Sequence, residues 1–174
     1  MPTESAVRRP PVAPATPRLG GLLAAALLAL ALPAAAQPAG EKVAPQPRLQ
    51  QIEIQAGMHV IRAEVAADAT TRMRGLMMRE RLGPNEGMLF VFQEKAGHCF
   101  WMKNTLIPLS IAFIEDDGSI VNIEDMKPLL EDSHCAAKPV RYALEMDQGW
   151  FAKRGLKAGS VLVQPQVFKA PARN

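Results

Sequence analysis

Aromatic residues are scarce in this chain, 5% of 174 residues, and every one of them lies at or beyond Phe90. An excess of either charge is also lacking, with 20 Lys and Arg against 17 Asp and Glu. Three of those bases, Arg8, Arg9 and Arg18, and one acid, Glu4, fall in an N-terminal stretch that reads as removable, and without them the balance is +1. So small a charge cannot track a phosphate backbone, and no nucleic-acid partner is expected. Hydrolase and nucleotide motifs are missing too. There is no Gly-x-Ser-x-Gly, His-Glu-x-x-His, Cys-x-x-Cys, glycine-rich phosphate loop or calcium loop.

What is present first is an address. Residues 19–32 are fourteen uncharged, mostly apolar residues, preceded by the three arginines and followed by Pro33-Ala34-Ala35-Ala36. That is the layout of a secretory signal peptide with an Ala-x-Ala cleavage site. A membrane span needs roughly twenty apolar residues, so no stable span is expected once residues 1–36 are removed. No cysteine follows the apolar run, which excludes a lipoprotein attachment site, and Arg8-Arg9 leads into Pro10-Pro11 without the apolar follow-on of a twin-arginine signal. Residues 37–48, rich in Pro, Ala and charge, read as a flexible tether. The folded domain is expected over 49–166 with a short tail at 167–174, in a periplasmic or secreted protein that is a monomer.

Within the domain the apolar pattern is mostly that of strands. Residues 51–55 alternate strictly and pair naturally with 58–65 across Ala56-Gly57. Asp68 suits the cap of a helix over 69–78, although Gly75 implies a close contact or an early end. Short apolar runs at 88–92, 99–102 and 109–114 suit buried strands, and Asp117-Gly118 marks a hairpin between 109–114 and 119–123. Residues 140–146 alternate again, 148–154 suit a short helix stopped by Gly155, and 160–164 form a closing strand. The expectation is a compact, mainly β domain, a β-sandwich or closed barrel of seven to eight strands with two short helices.

Three blocks in order are specific together: Arg74-Gly75-Leu76-Met77-Met78-Arg79, Gly87-Met88-Leu89-Phe90-Val91-Phe92, and Phe100-Trp101-Met102-Lys103-Asn104-Thr105-Leu106-Ile107-Pro108-Leu109. With Tyr142-Ala143-Leu144-Glu145 and Gly149-Trp150, the chain resembles the family called domain of unknown function 192, over about residues 51–163. The resemblance implies a compact, mainly β domain, often behind a signal peptide, and no established activity. Ser110 departs from it, standing where members often carry an acid.

The residues able to carry chemistry are few. Trp101, Asn104 and Thr105 combine a ring, an amide and a hydroxyl just after an apolar run, a mixture that suits a ligand-binding lip, although a locked turn that bonds loop backbone is the more ordinary use of these residues. Glu145 sits on an apolar strand, where a carboxylate wants a partner; Arg74 or Arg79 is the expected mate, as an ion pair or as part of a binding site. An enzyme acting on envelope carbohydrate or peptide would instead use Glu145 with a second carboxylate such as Asp132. Cys99 and Cys135 are an even pair in an exported domain and are expected to form a disulfide. The dipeptides His98-Cys99 and His134-Cys135 could in principle complete a tetrahedral metal site, but neighbours on a strand point to opposite faces, and no metal or other cofactor is expected. The leading expectation is a cell-envelope module that binds a small molecule or an envelope component, rather than an enzyme. A purely structural protein without a pocket is the remaining alternative.

Overall fold

The computed structural model describes residues 43–168. The signal segment 1–36, the first part of the tether and most of the tail lie outside those residues. Nine strands occur among the described residues: β1 (Gln51–Ala56), β2 (His59–Ala66), β3 (Glu86–Ala96), β4 (Cys99–Phe100), β5 (Leu109–Ile114), β6 (Ile120–Met126), β7 (His134–Cys135), β8 (Val140–Asp147) and β9 (Leu162–Val163). One helix, α1 (Ala69–Arg74), and a single 3-10 turn, Ala152–Arg154, complete the described elements. None is long and apolar enough to cross a membrane.

Seven strands form one curled sheet in the order β6-β5-β8-β3-β2-β1-β9, a half-barrel, so the domain is mainly β as expected. Its two outermost strands meet at one end. A bridge joins Ser119 to Val161, and Leu162 N–H donates to the Gly118 carbonyl at 2.8 Å. The β1–β2 hairpin turns at Gly57, whose φ of 60° is the conformation glycine adopts freely. All paired strands of the sheet are antiparallel except β2 and β3, which run parallel and therefore need the crossover that contains α1.

Side-chain alternation divides the sheet into two faces. Ile54, Ile61, Leu89, Ala112, Leu144 and Met146 fill the concave interior with Phe151 and Leu162. Met88, Phe90, Ile111, Phe113 and Ala143 face outward and are covered by Leu76 and Met102 from the segments around α1 and β4. The helix is shorter than the 69–78 expected from spacing. Asp68 caps it, accepting from Thr71 N–H at 2.9 Å, but Gly75 ends it with φ 50°, in close packing with the Phe90 ring. The run 99–102 also differs from its expectation as a buried strand. Only Cys99 and Phe100 pair, and Trp101 turns half out of the fold.

The described end of the expected tether is held against the domain. Gln46 Nε2 donates to the Gly75 carbonyl at 2.8 Å, Arg74 donates to the Ala44 carbonyl at 2.9 Å, and Arg48 donates to Glu64 at 3.0 Å. Composition hid this docking because the contacts are made by isolated polar side chains with no apolar pattern to mark them.

Candidate functional site

A pocket of about 250 Å³ opens between the outer face of the sheet and the layer made by α1 and β4. Phe90, Phe92, Phe100 and Trp101 contribute to its walls with Leu76 and Met77, Thr105 and Glu145 are its buried polar groups, and Arg72 and Arg74 border it from α1. The local sequence explains this placement. On β8, Tyr142, Leu144 and Met146 point into the half-barrel, which sends Ala143 and Glu145 to the opposite face. Beyond β4 the chain turns through Asn104 at φ 58°, and this turn brings Thr105 to the cavity.

Glu145 is 5% exposed and has no hydrogen-bond or ion-pair partner among the described residues. Burial alone pushes its carboxyl up from the usual 4.5 to about 8, so at neutral pH it holds a proton. The register places it in a row of acids. Glu64 on β2 lies opposite Met88 on β3, Met88 opposite Glu145 on β8, Glu145 opposite Ile111 on β5, and Ile111 opposite Glu124 on β6. Three glutamates thus occupy alternate strands across one face. Glu64, buried, is met by Arg79 at 3.1 Å and Arg48 at 3.0 Å, and Glu124 by His134 Nδ1 at 2.9 Å. Only the middle member lacks a base and opens on a cavity.

The expected pairing of Glu145 with Arg74 or Arg79 is therefore not formed. Arg79 is drawn to Glu64, whose buried carboxylate needs a charged partner more than a carboxyl that stays protonated does. Arg74 lines the outer pocket while donating to Ala44. Asp132 is exposed in the loop before β7 and does not line the pocket, nor does any other described acid besides Glu145. Trp101, half exposed, forms the lip, and Lys103 Nζ stands 5.2 Å over its ring. Asn104 borders an adjoining groove with Met73, Met77 and Trp101, and its carbonyl accepts from Met78 N–H at 2.8 Å. Trp101, Thr105, Arg74 and Glu145 are thus brought together, Asn104 stands beside them, and Arg79 does not reach them.

Cys99 and Cys135 face each other across β4 and β7 at disulfide distance, Sγ to Sγ 2.07 Å, beside the pocket wall. Their histidines point elsewhere: His98 stacks on Phe92 at 3.5 Å between centroids, and His134 pairs with Glu124. Ser110, singled out by its departure from the family pattern, is buried on the interior face, accepts from Gly149 N–H at 2.8 Å and donates to Asp125. Trp150 plugs the barrel end, its indole donating to Asn85 at 3.0 Å with Arg154 4.1 Å over its ring. The Gly149-Trp150 block is accordingly structural.

A family model described as an uncharacterised ACR, domain of unknown function 192, matches residues 51–164. The chain belongs to this family. Among solved structures, a protein of unknown function from Novosphingobium aromaticivorans is similar at 35% identity and a TM-score of 0.65, covering 70% of this chain and 91% of that one. A protein from Sinorhizobium meliloti, described as a candidate transcription regulator, is also 35% identical, with a TM-score of 0.61, over 65% of this chain and 91% of its own. No match was found among curated proteins. Family membership assigns no activity and leaves the chemistry to be read from the residues. The sequence marks Arg79 as a partner for a buried acid, but nothing in its pattern names Glu64 as that acid.

Proposed function

We propose that this member of the family is an exported cell-envelope module that binds a small ligand, free or as part of an envelope component, in the pocket over Glu145. The observation that carries the reading is the unpartnered, buried Glu145 carboxyl opening into an aromatic-walled cavity with Thr105. A buried polar group with no partner is costly, and a fold tolerates that cost where a ligand supplies the missing contact. Trp101 offers ring area at the lip with little conformational freedom to lose. A glycosidase-type mechanism has less support, since it needs two carboxyl groups across one cleft and Glu145 is alone among the described lining residues. The description of one similar protein as a transcription regulator adds little toward nucleic-acid binding here, because a balance near +1 once residues 1–36 are removed gives little net attraction for a phosphate backbone.

A screen of the purified protein against small molecules, read by chemical-shift perturbation, tests the pocket. Hits should move the signals of Trp101, Thr105 and Glu145, and Trp101→Ala should weaken them about tenfold, the loss of one lip ring. Perturbations that centre elsewhere, or an unchanged affinity in the variant, would defeat the reading. Export is tested separately by N-terminal sequencing of native protein: the mature chain should begin near Gln37, and recovery of Met1 or Pro2 in the membrane fraction would contradict it.

A further inference from the structure

Resting on the pocket reading above, we propose that the ligand is a cationic amine with a short apolar body, whose ammonium pairs with Glu145 and completes the row of glutamates. Each flanking member already has a basic side chain against it: the guanidinium groups of Arg79 and Arg48 at Glu64, and the His134 ring at Glu124. Glu145 stands between them in the same register, on the same face, with a cavity where the base would be.

The walls suit a cation. Aromatic faces attract ammonium and guanidinium groups through their quadrupole, more strongly when the site is dry. Two of the rings in this lining already carry one at the rim, Lys103 over Trp101 at 5.2 Å and Arg72 over Phe92 at 5.1 Å. Neither reaches Glu145. Arg72 and Arg74 are the charged groups of α1 that border the cavity, and both are tied to backbone carbonyls, Arg72 to Ala67 and Val91 and Arg74 to Ala44. Their charge opposes positive charge anywhere along the α1 side of the cavity, so the ligand has one ammonium, held at Glu145, and an apolar remainder toward the arginines. The other packed elements contribute Met88 from β3 and Ile111 from β5, neither of which titrates. A volume of about 250 Å³ holds a single aminoalkyl chain rather than a folded peptide.

The competing ligand is a neutral acceptor, such as an amide carbonyl, taking a hydrogen bond from the protonated Glu145. The two differ in their proton balance. An ammonium can pair only with the carboxylate, so it must displace a proton that free Glu145 keeps up to about pH 8. The probes are n-butylammonium and its neutral counterpart pentanamide, titrated into the purified protein by NMR between about pH 6 and pH 9. Calorimetry in buffers of different ionisation enthalpy counts the protons.

For butylammonium the affinity should rise about tenfold per pH unit up to about pH 8 and then level, with close to one proton released per amine bound at pH 7. Glu145→Gln should weaken it at least tenfold at pH 8 while leaving the thermal unfolding cooperative. Binding of pentanamide in the pocket in preference to butylammonium, with an affinity that falls above about pH 8, would overturn the amine and leave the pocket reading standing. Failure of both probes to perturb Trp101, Thr105 or Glu145, in the wild type as in Glu145→Gln, would overturn both.

Discussion

Glu145 shows how one residue can be legible as a type and illegible as a role. Its place on an apolar strand marks it as a carboxylate needing an explanation, but the explanation depends on which face of β8 it takes and what lies opposite. Its burial also has a consequence for stability. With the carboxyl near 4.5 in the unfolded chain and about 8 in the fold, neither state is penalised below about pH 4.5. Between those values the unfolded chain ionises while the folded one holds its proton, so stability falls as pH rises and the loss is complete above about pH 8. The limiting size is on the order of 5 kcal/mol. Glu145→Gln removes the slope: denaturant titrations should find the variant close to wild type at pH 4 and several kcal/mol more stable at pH 8. A constant difference across that range would show that the carboxyl is solvated rather than buried.

At the scale of elements, the pocket wall depends on a small sheet that composition does not announce. β4 and β7 are two residues each, too short to hold together by backbone pairing alone. Cys99 and Cys135 lie directly opposite in that ladder, 36 residues apart in sequence. Closing a loop of that length removes roughly 4 kcal/mol of unfolded-state freedom in the chain-entropy account. Native protein should therefore show no free thiol on titration. The Cys99→Ser/Cys135→Ser double variant should lose up to about 4 kcal/mol in denaturant, with the largest shift changes in Phe100 and Trp101. Two titratable thiols in freshly isolated protein would refute the bond. Helix α1 carries its stop in the local sequence: Gly75, with φ 50° and packed against the Phe90 ring, ends it after Arg74.

For the molecule as a whole, the curled sheet is held partly closed by contacts between its first and last strands in spatial order. Gly118 sits at that junction with φ 85°, and a Cβ there would stand 2.1 Å from the Leu162 carbonyl oxygen. Gly118→Ala combines left-handed backbone strain with a clash against main chain, and is expected to cost roughly 2 kcal/mol or more. Thermal unfolding should show the loss, and hydrogen exchange should show it concentrated at residues 118–120 and 160–162. An alanine variant as stable as wild type would mean that the junction is not needed to close the sheet.

By itself the sequence determined the mainly β class, the hairpins at Gly57 and Gly118, the cap at Asp68 and the kinship to the family, because alternation, turn chemistry and contiguous motifs are local and survive without coordinates. It also determined that Glu145 needed an account. Only the tertiary structure decided what that account is. Strand order set Glu64, Glu145 and Glu124 on one face although 81 residues separate the first two, and the docking of residues 43–48 brought Arg48 to Glu64. Pairing partners across a sheet are chosen by register and by competition for burial among all the strands at once, and neither quantity is written in the neighbourhood of any one residue.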